Sequence, residues 1–140
     1  MTARTLLERI IRIRKAIDYR RTKIDTLTDQ AEISSSRLTG MPHNPSPAAS
    51  AIENAICRKV DLEREIEELE KERNTLIAQI DLIEDPDLSK LLMLRYVQEA
   101  QWDVIAAEMN YSSPWVFKLH RRARQKLDDV LSSRSEDRKV

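Results

Sequence analysis

The stretch WDVIAAEMNYSSPWVFKLHRRA, residues 102–123, decides the fold of this 140-residue chain. Ile105 and Met109 stand four apart and share one face of a short helix. Ala106 lies beside that face, where a helix crossing at a steep angle leaves room for little more than a methyl group. Asn110 tolerates the left-handed conformation that stops a helix abruptly, and Tyr111 is placed to cover the bend. Ser112 is a strong N-cap type, and Pro114 falls in the first turn of the next helix, where a missing N–H costs nothing. Spacings of three and four then give that helix a buried stripe of Val116, Leu119, Ala123 and Leu127. Upstream, Asp85 and Pro86 read as the N-cap and first residue of a supporting helix that carries Leu88, Leu91, Leu92, Leu94 and Tyr96 and ends near Glu99 and Ala100. Three helices over 85–131 would close a minimal core, and the polar segment 132–140 reads as a disordered tail.

Charge sharpens this reading. From Asn110 to Leu127 the chain carries Lys118, Arg121, Arg122, Arg124 and Lys126 and no acidic residue, a patch hidden by a net charge of zero overall. Cations on the outer side of the second helix of such a pair are what phosphate neutralisation in a major groove requires, so double-stranded DNA is the expected partner. The exposed leading residues would be Ser113, Pro114, Phe117, Lys118 and Arg121. A basic run near a helix C-terminus also complements the helix dipole, but that alone gives no reason for it to coincide with a two-helix turn.

The segments LRYV (94–97), WDVIA (102–106), NYS (110–112) and VFKLHRRA (116–123) resemble the fourth conserved region of bacterial sigma factors, over about the last third of the chain. The resemblance implies a helix-turn-helix domain that reads promoter elements. With a long helical hairpin ahead of it, the chain is similar to small phage-encoded transcriptional regulators, the ArpU/RinA-like late-operon kind. Carried over by position, Ser112 becomes the N-cap of the recognition helix. Ser113, Pro114, Trp115, Phe117, Lys118 and Arg121 become its groove-facing residues, with Arg122 and Arg124 on phosphates. The family usually opens this helix with charged or amide side chains, whereas this chain offers Ser-Pro-Trp-Val-Phe, in which Phe117 suits contact with thymine methyls and Trp115 suits packing toward the first helix of the unit. Ala100 and Asn110 stand where the family commonly has glycine.

Composition indicates an all-α protein. A third of the residues are charged, with one glycine and six aromatic residues, which suits long helices that bury a narrow stripe. Cys57 is the lone cysteine, and no Cys/His cluster has metal-ligand spacing. No apolar run is long enough to cross a bilayer and no secretory core opens the chain, so the cytoplasm of a bacterial host is the expected location. No activated nucleophile or phosphate-cradling glycine loop appears, so neither an enzyme nor a cofactor is expected. His120 reads as a phosphate contact or a surface residue, Asp128-Asp129 and Glu67-Glu68 as solvated faces, and Tyr96, Trp102 and Tyr111 as packing of the small domain.

Residues 1–84 read as a long antiparallel coiled-coil hairpin. Gly40, Pro42, Pro45 and Pro47 are gathered in a loop from about Ser34 to Ser50, and Pro86 marks the hinge to the C-terminal unit. Leu6, Ile10, Ile13, Ile17, Ile24, Leu27 and Ala31 alternate steps of four and three, as do Ile52, Ala55, Leu62, Ile66, Leu69, Leu76, Ile80 and Ile83. Arg20, Lys59 and Arg73 interrupt the seam, either to specify register or partner or with their stems buried and heads wet. Residues 1–23 hold eight basic and two acidic side chains and residues 61–74 seven acidic and three basic, which favours pairing of those ends. A competing reading gives the basic first helix to nucleic acid. Two helices alone bury little, so the coiled coil is expected to form a homodimer or to dock a partner such as RNA polymerase. The alternative function is a coiled-coil adaptor that contacts a sigma factor or polymerase, or a DNA-recognition subunit for phage genome packaging.

Overall fold

The computed structural model describes residues 1–38 and 47–137, with side chains over 1–33 and 49–134. Every regular element among them is helical: α1 (Ala3–Leu38), α2 (Pro47–Asp81), α3 (Pro86–Leu92) running on into a π turn (Met93–Val97), α4 (Trp102–Met109) and α5 (Ser113–Asp137). They form two compact units, one drawn from Met1–Ile13 and Glu72–Val140 and the other from Arg14–Lys71. This division crosses both long helices and does not fall at the Pro86 hinge, where composition alone places it. The reason is packing. The first turns of α1 bury Ala3, Leu6, Leu7 and Ile10 in the unit that holds α3, α4 and α5.

Each element starts where its local chemistry allows. The Asp85 carboxylate accepts from the Asp87 N–H at 3.0 Å with Pro86 in the first turn of α3. α4 stops at Asn110, whose φ of 61° and ψ of 39° are left-handed. The Tyr111 N–H donates to the Ala106 carbonyl at 3.0 Å and the Asn110 N–H to that of Ala107 at 3.3 Å, the two bonds of a Schellman motif. α5 begins at once, with the Ser112 Oγ 3.4 Å from the Trp115 N–H that it caps. Pro47 opens α2, where its fixed φ suits a first turn.

Within the first unit the expected stripes are buried: Leu88, Leu91, Leu92 and Leu94 from α3 and its π turn, Ile105, Ala106 and Met109 from α4, and Val116, Leu119, Ala123 and Leu127 from α5. α5 packs against both α3 and α4, so these rows meet in one core. Truncating one such leucine removes about 2–5 kcal/mol. The same unit pairs Arg9 with Glu72 at 2.8 Å, and in the second unit Arg20 pairs with Glu65 at 2.9 Å and Arg21 with Glu70 at 3.2 Å. Within the second unit Arg20 and Arg21 of α1 meet Glu65 and Glu70 of α2, while the later residues Lys23, Thr26, Leu27 and Gln30 lie beside the earlier Arg58 and Leu62, so the helices are antiparallel. Arg20, in the seam, also donates to the Ala16 carbonyl at 3.1 Å, whereas the Nε of Arg73 is buried with no partner.

Three expectations are corrected. The loop expected over 34–50 is shorter, since α1 runs to Leu38 and α2 starts at Pro47, and residues 39–46 lie outside the described ones. The tail expected over 132–140 is helical as far as Asp137, because no glycine or proline follows Leu127 and each added residue gains a helical bond; residues 138–140 lie outside the described ones. Before α4 the chain turns at Glu99, which is left-handed (φ 54°) where the π turn ends: the Gln98 N–H reaches the Met93 carbonyl and that of Ala100 reaches Leu94. Asp128 is not merely solvated, since its carboxylate accepts from the Ala3 N–H at 2.6 Å and caps α1. Asp128→Ala should lower stability by about 0.5–2 kcal/mol in urea denaturation, and no change would mean that water serves the Ala3 N–H equally well.

Candidate nucleic-acid interface

The candidate surface is built on α5, whose rotation is set by the burial of Val116, Leu119, Ala123 and Leu127. That burial turns Ser113, Pro114, Lys118, Arg121, Arg122 and Lys126 outward, all of them exposed, and leaves Arg124 half-buried. Ser112, the cap, is exposed at the head of the same helix. Lys118, Arg121, Arg122, Arg124 and Lys126 form no ion pair among the described residues, although four arginines of α1 each find a carboxylate: Arg4 with Glu8, Arg9 with Glu72, Arg20 with Glu65 and Arg21 with Glu70. Half of the eight basic residues over 1–23 are thus paired with carboxylates, whereas these five of the last helix are not, among the described residues.

Trp115 and Phe117 are exposed, by 41% and 44%, but do not share a face. Two residues along a helix are about 200° around its axis. Trp115 meets the Tyr111 ring edge-on at 6.4 Å between centroids, and Phe117 meets Trp102 of α4 at 5.1 Å. Trp115 thus packs on Tyr111 of the turn, and Tyr111 makes a link to α3 by donating from its hydroxyl to Asp87 at 2.9 Å. The Asp87 carboxylate holds the Tyr111 hydroxyl above its ordinary pKa. Tyr111 remains 37% exposed and so covers the turn without entering the core.

His120 occupies neither of the environments that its neighbours suggest. It is half-buried, 2.7 Å by its Nε2 from the Tyr96 hydroxyl, stacked on that ring and edge-on to Trp102 at 4.9 Å. Burial first, then the charges of Arg124 and Arg95, push its pKa down to about 4, so the ring is neutral at pH 7 and adds nothing to the cationic surface. Burial likewise raises Tyr96 above its ordinary value. Arg95 completes the cluster. Its guanidinium sits 4.4 Å above the Trp102 ring and donates to the Ala100 carbonyl at 3.0 Å. Arg95 lies within the quoted LRYV segment, but nothing in its own turn marks it as the clamp on a residue seven positions later.

The match to a family comes over this region. The chain belongs to the family described as protein of unknown function (DUF1492), whose model matches residues 51–128. No curated protein and no solved structure matches it. The DUF1492 match runs from the start of α2 to the Asp128 cap, and so spans α3, α4 and every cation of the candidate surface. Among the described residues no helix is long and apolar enough to cross a membrane.

The low pKa of His120 has a consequence for stability. An unfolded chain takes up the imidazole proton below its ordinary pKa of 6.5, while the folded chain resists until about 4. Stability contributed by the neutral ring is present above pH 6.5 and drains away as pH falls toward 4. His120→Phe should flatten the fall in melting temperature across that window, and an NMR titration of His120 with a midpoint near 6.5 would refute the assignment.

Proposed function

We propose that this chain is a DNA-binding transcriptional regulator, phage or prophage encoded, that presents α4, the turn at Asn110 and α5 to duplex DNA as a helix-turn-helix. The observation that carries the reading is the set Lys118, Arg121, Arg122, Arg124 and Lys126, five cations on one helix that form no ion pair among the described residues, while Arg9, Arg20 and Arg21 of α1 are paired. Unpaired cations on the second helix of such a turn suit the evenly spaced phosphates of a duplex, and their release of counterions makes binding salt-dependent. The resemblance of residues 94–123 to the fourth region of sigma factors supports the same orientation, with α5 as the recognition helix.

The test is a mobility-shift titration of the full chain on duplex DNA at several salt concentrations. Affinity should fall steeply with salt, and Lys118→Ala and Arg121→Ala should each reduce the slope of log affinity against log salt by about 0.9 if each meets one phosphate. Binding that ignores salt, or no binding, would favour the coiled-coil adaptor that contacts a sigma factor or RNA polymerase.

The proposed assembly is a homodimer through α1 and α2. In the second unit Ile17, Ala55, Leu62 and Ile66 are the buried apolar side chains among the described residues, while Ile56 and Val60 are 53% and 48% exposed and Ile52 is half-covered. Ile52, Ile56 and Val60 recur every four residues and so form one apolar row on α2 beside the seam. A second copy laid antiparallel about Ile56 would set Ile52 against Val60 and Glu53 against Lys59, which joins apolar to apolar and acid to base. Sedimentation should show a dimer that the double substitution Ile56→Glu, Val60→Glu converts to monomer. A wild-type monomer at high micromolar concentration would remove the dimer.

A further inference from the structure

We propose that Phe117 reads the C5-methyl group of thymine in the major groove, which makes the target site of this protein one with thymine at a defined position. The inference rests on the reading of α5 as a recognition helix and adds to it the chemistry of one contact.

Ser113, Phe117 and Arg121 follow one another at intervals of four along the outer surface of α5, all exposed, with Lys118 adjacent. The Phe117 ring stands between a hydroxyl and a guanidinium, and it is braced from behind. Trp102 lies against it at 5.1 Å between centroids, itself held by Arg95 at 4.4 Å and by the edge of His120 at 4.9 Å. An aromatic ring that is 44% exposed and supported by three side chains keeps its place before any partner arrives, and little conformational freedom is lost on contact. Trp115 is not the reader, because it lies across the helix against Tyr111.

The groove chemistry narrows the partner. None of Ser113, Pro114, Trp115, Phe117, Lys118 and Arg121 carries an amide or a carboxylate, so the leading turns offer no bidentate contact to adenine and no carboxylate acceptor for the cytosine amino group. The apolar feature that base edges present in the major groove is the thymine methyl. Lys118 and Arg121, beside the ring and without an ion pair among the described residues, favour a polyanion over an apolar protein surface as the body that covers it.

The experiment uses the full chain and a pool of thirty-base-pair duplexes recovered by selection from random sequence, prepared once with thymine and once with uracil. The two pools differ by the methyl group alone. Binding to the uracil pool should be about fourfold weaker per contacted methyl, the ratio that corresponds to one buried carbon group. Phe117→Ala should bind the thymine pool more weakly and lose the difference between pools, and Phe117→Leu, which keeps an apolar tip and the helix, should retain part of it. Equal affinity of the unaltered chain for both pools overturns this inference and leaves the DNA reading standing. A difference that persists in Phe117→Ala assigns the methyl contact to another residue and also overturns it. Failure to recover or bind any duplex overturns the DNA reading itself.

Discussion

The burial of Val116, Leu119, Ala123 and Leu127 beneath α3 and α4 is the constraint on which the rest of the C-terminal structure depends. A helix with one apolar stripe has one favourable rotation, because turning it by a quarter would expose several large side chains at about 1.5–3 kcal/mol each. Small domains hold only about 5–15 kcal/mol in total, so no other rotation is populated. Once that stripe is in place, the remaining positions of α5 have no choice of face. Lys118, Arg121, Arg122 and Lys126 go outward, Phe117 goes to the Trp102 side and Trp115 to the Tyr111 side.

Charge is divided in a way that composition conceals. Within a net charge of zero, three arginines of the first helix are met by glutamates of α2, while Lys118, Arg121, Arg122, Arg124 and Lys126 of the last helix form no ion pair among the described residues. Pairs such as Arg9 with Glu72 are half-exposed and add little stability individually. Their effect is to favour the antiparallel arrangement and to offset part of the positive charge of α1. The charges of Arg95, which lies over Trp102, and of Arg124 help to keep the imidazole uncharged in the middle of a basic helix. The proposed DNA-facing surface is thus carried by permanently charged side chains, and its strength should not vary with the state of His120.

Much of this was legible before any coordinates. Asp85, Ser112 and Asn110 act where their side chains make them act, as two N-caps and a left-handed stop. The apolar rows expected of α4 and α5 and the leucines expected of α3 and its π turn are buried, as are Leu6, Ile10, Ile13 and Ile17 of α1 and Ala55, Leu62, Ile66, Leu76 and Ile80 of α2. Ile24, Leu27, Ala31, Ile52 and Leu69, by contrast, are only half-covered. The separation of Trp115 from Phe117 was also available from helical periodicity, since residues two apart cannot point the same way. Other features gave no local sign. Asp128 looks like its neighbour Asp129 until Ala3 is placed beside it, and Glu99 takes a left-handed conformation that its residue type disfavours because a π turn ends there.

What the amino-acid order determined by itself was each helix, its ends and its apolar side, because those depend on residues within one turn, at separations of three and four. What only the tertiary structure decided was which charges are spent internally, the neutrality of His120 and the recruitment of the first thirteen residues into the C-terminal unit. Those outcomes join Tyr96 to His120 across 24 positions, Arg9 to Glu72 across 63 and Ala3 to Asp128 across 125. Interactions at such separations exist only after the chain has folded back on itself, and no periodicity in the sequence encodes them.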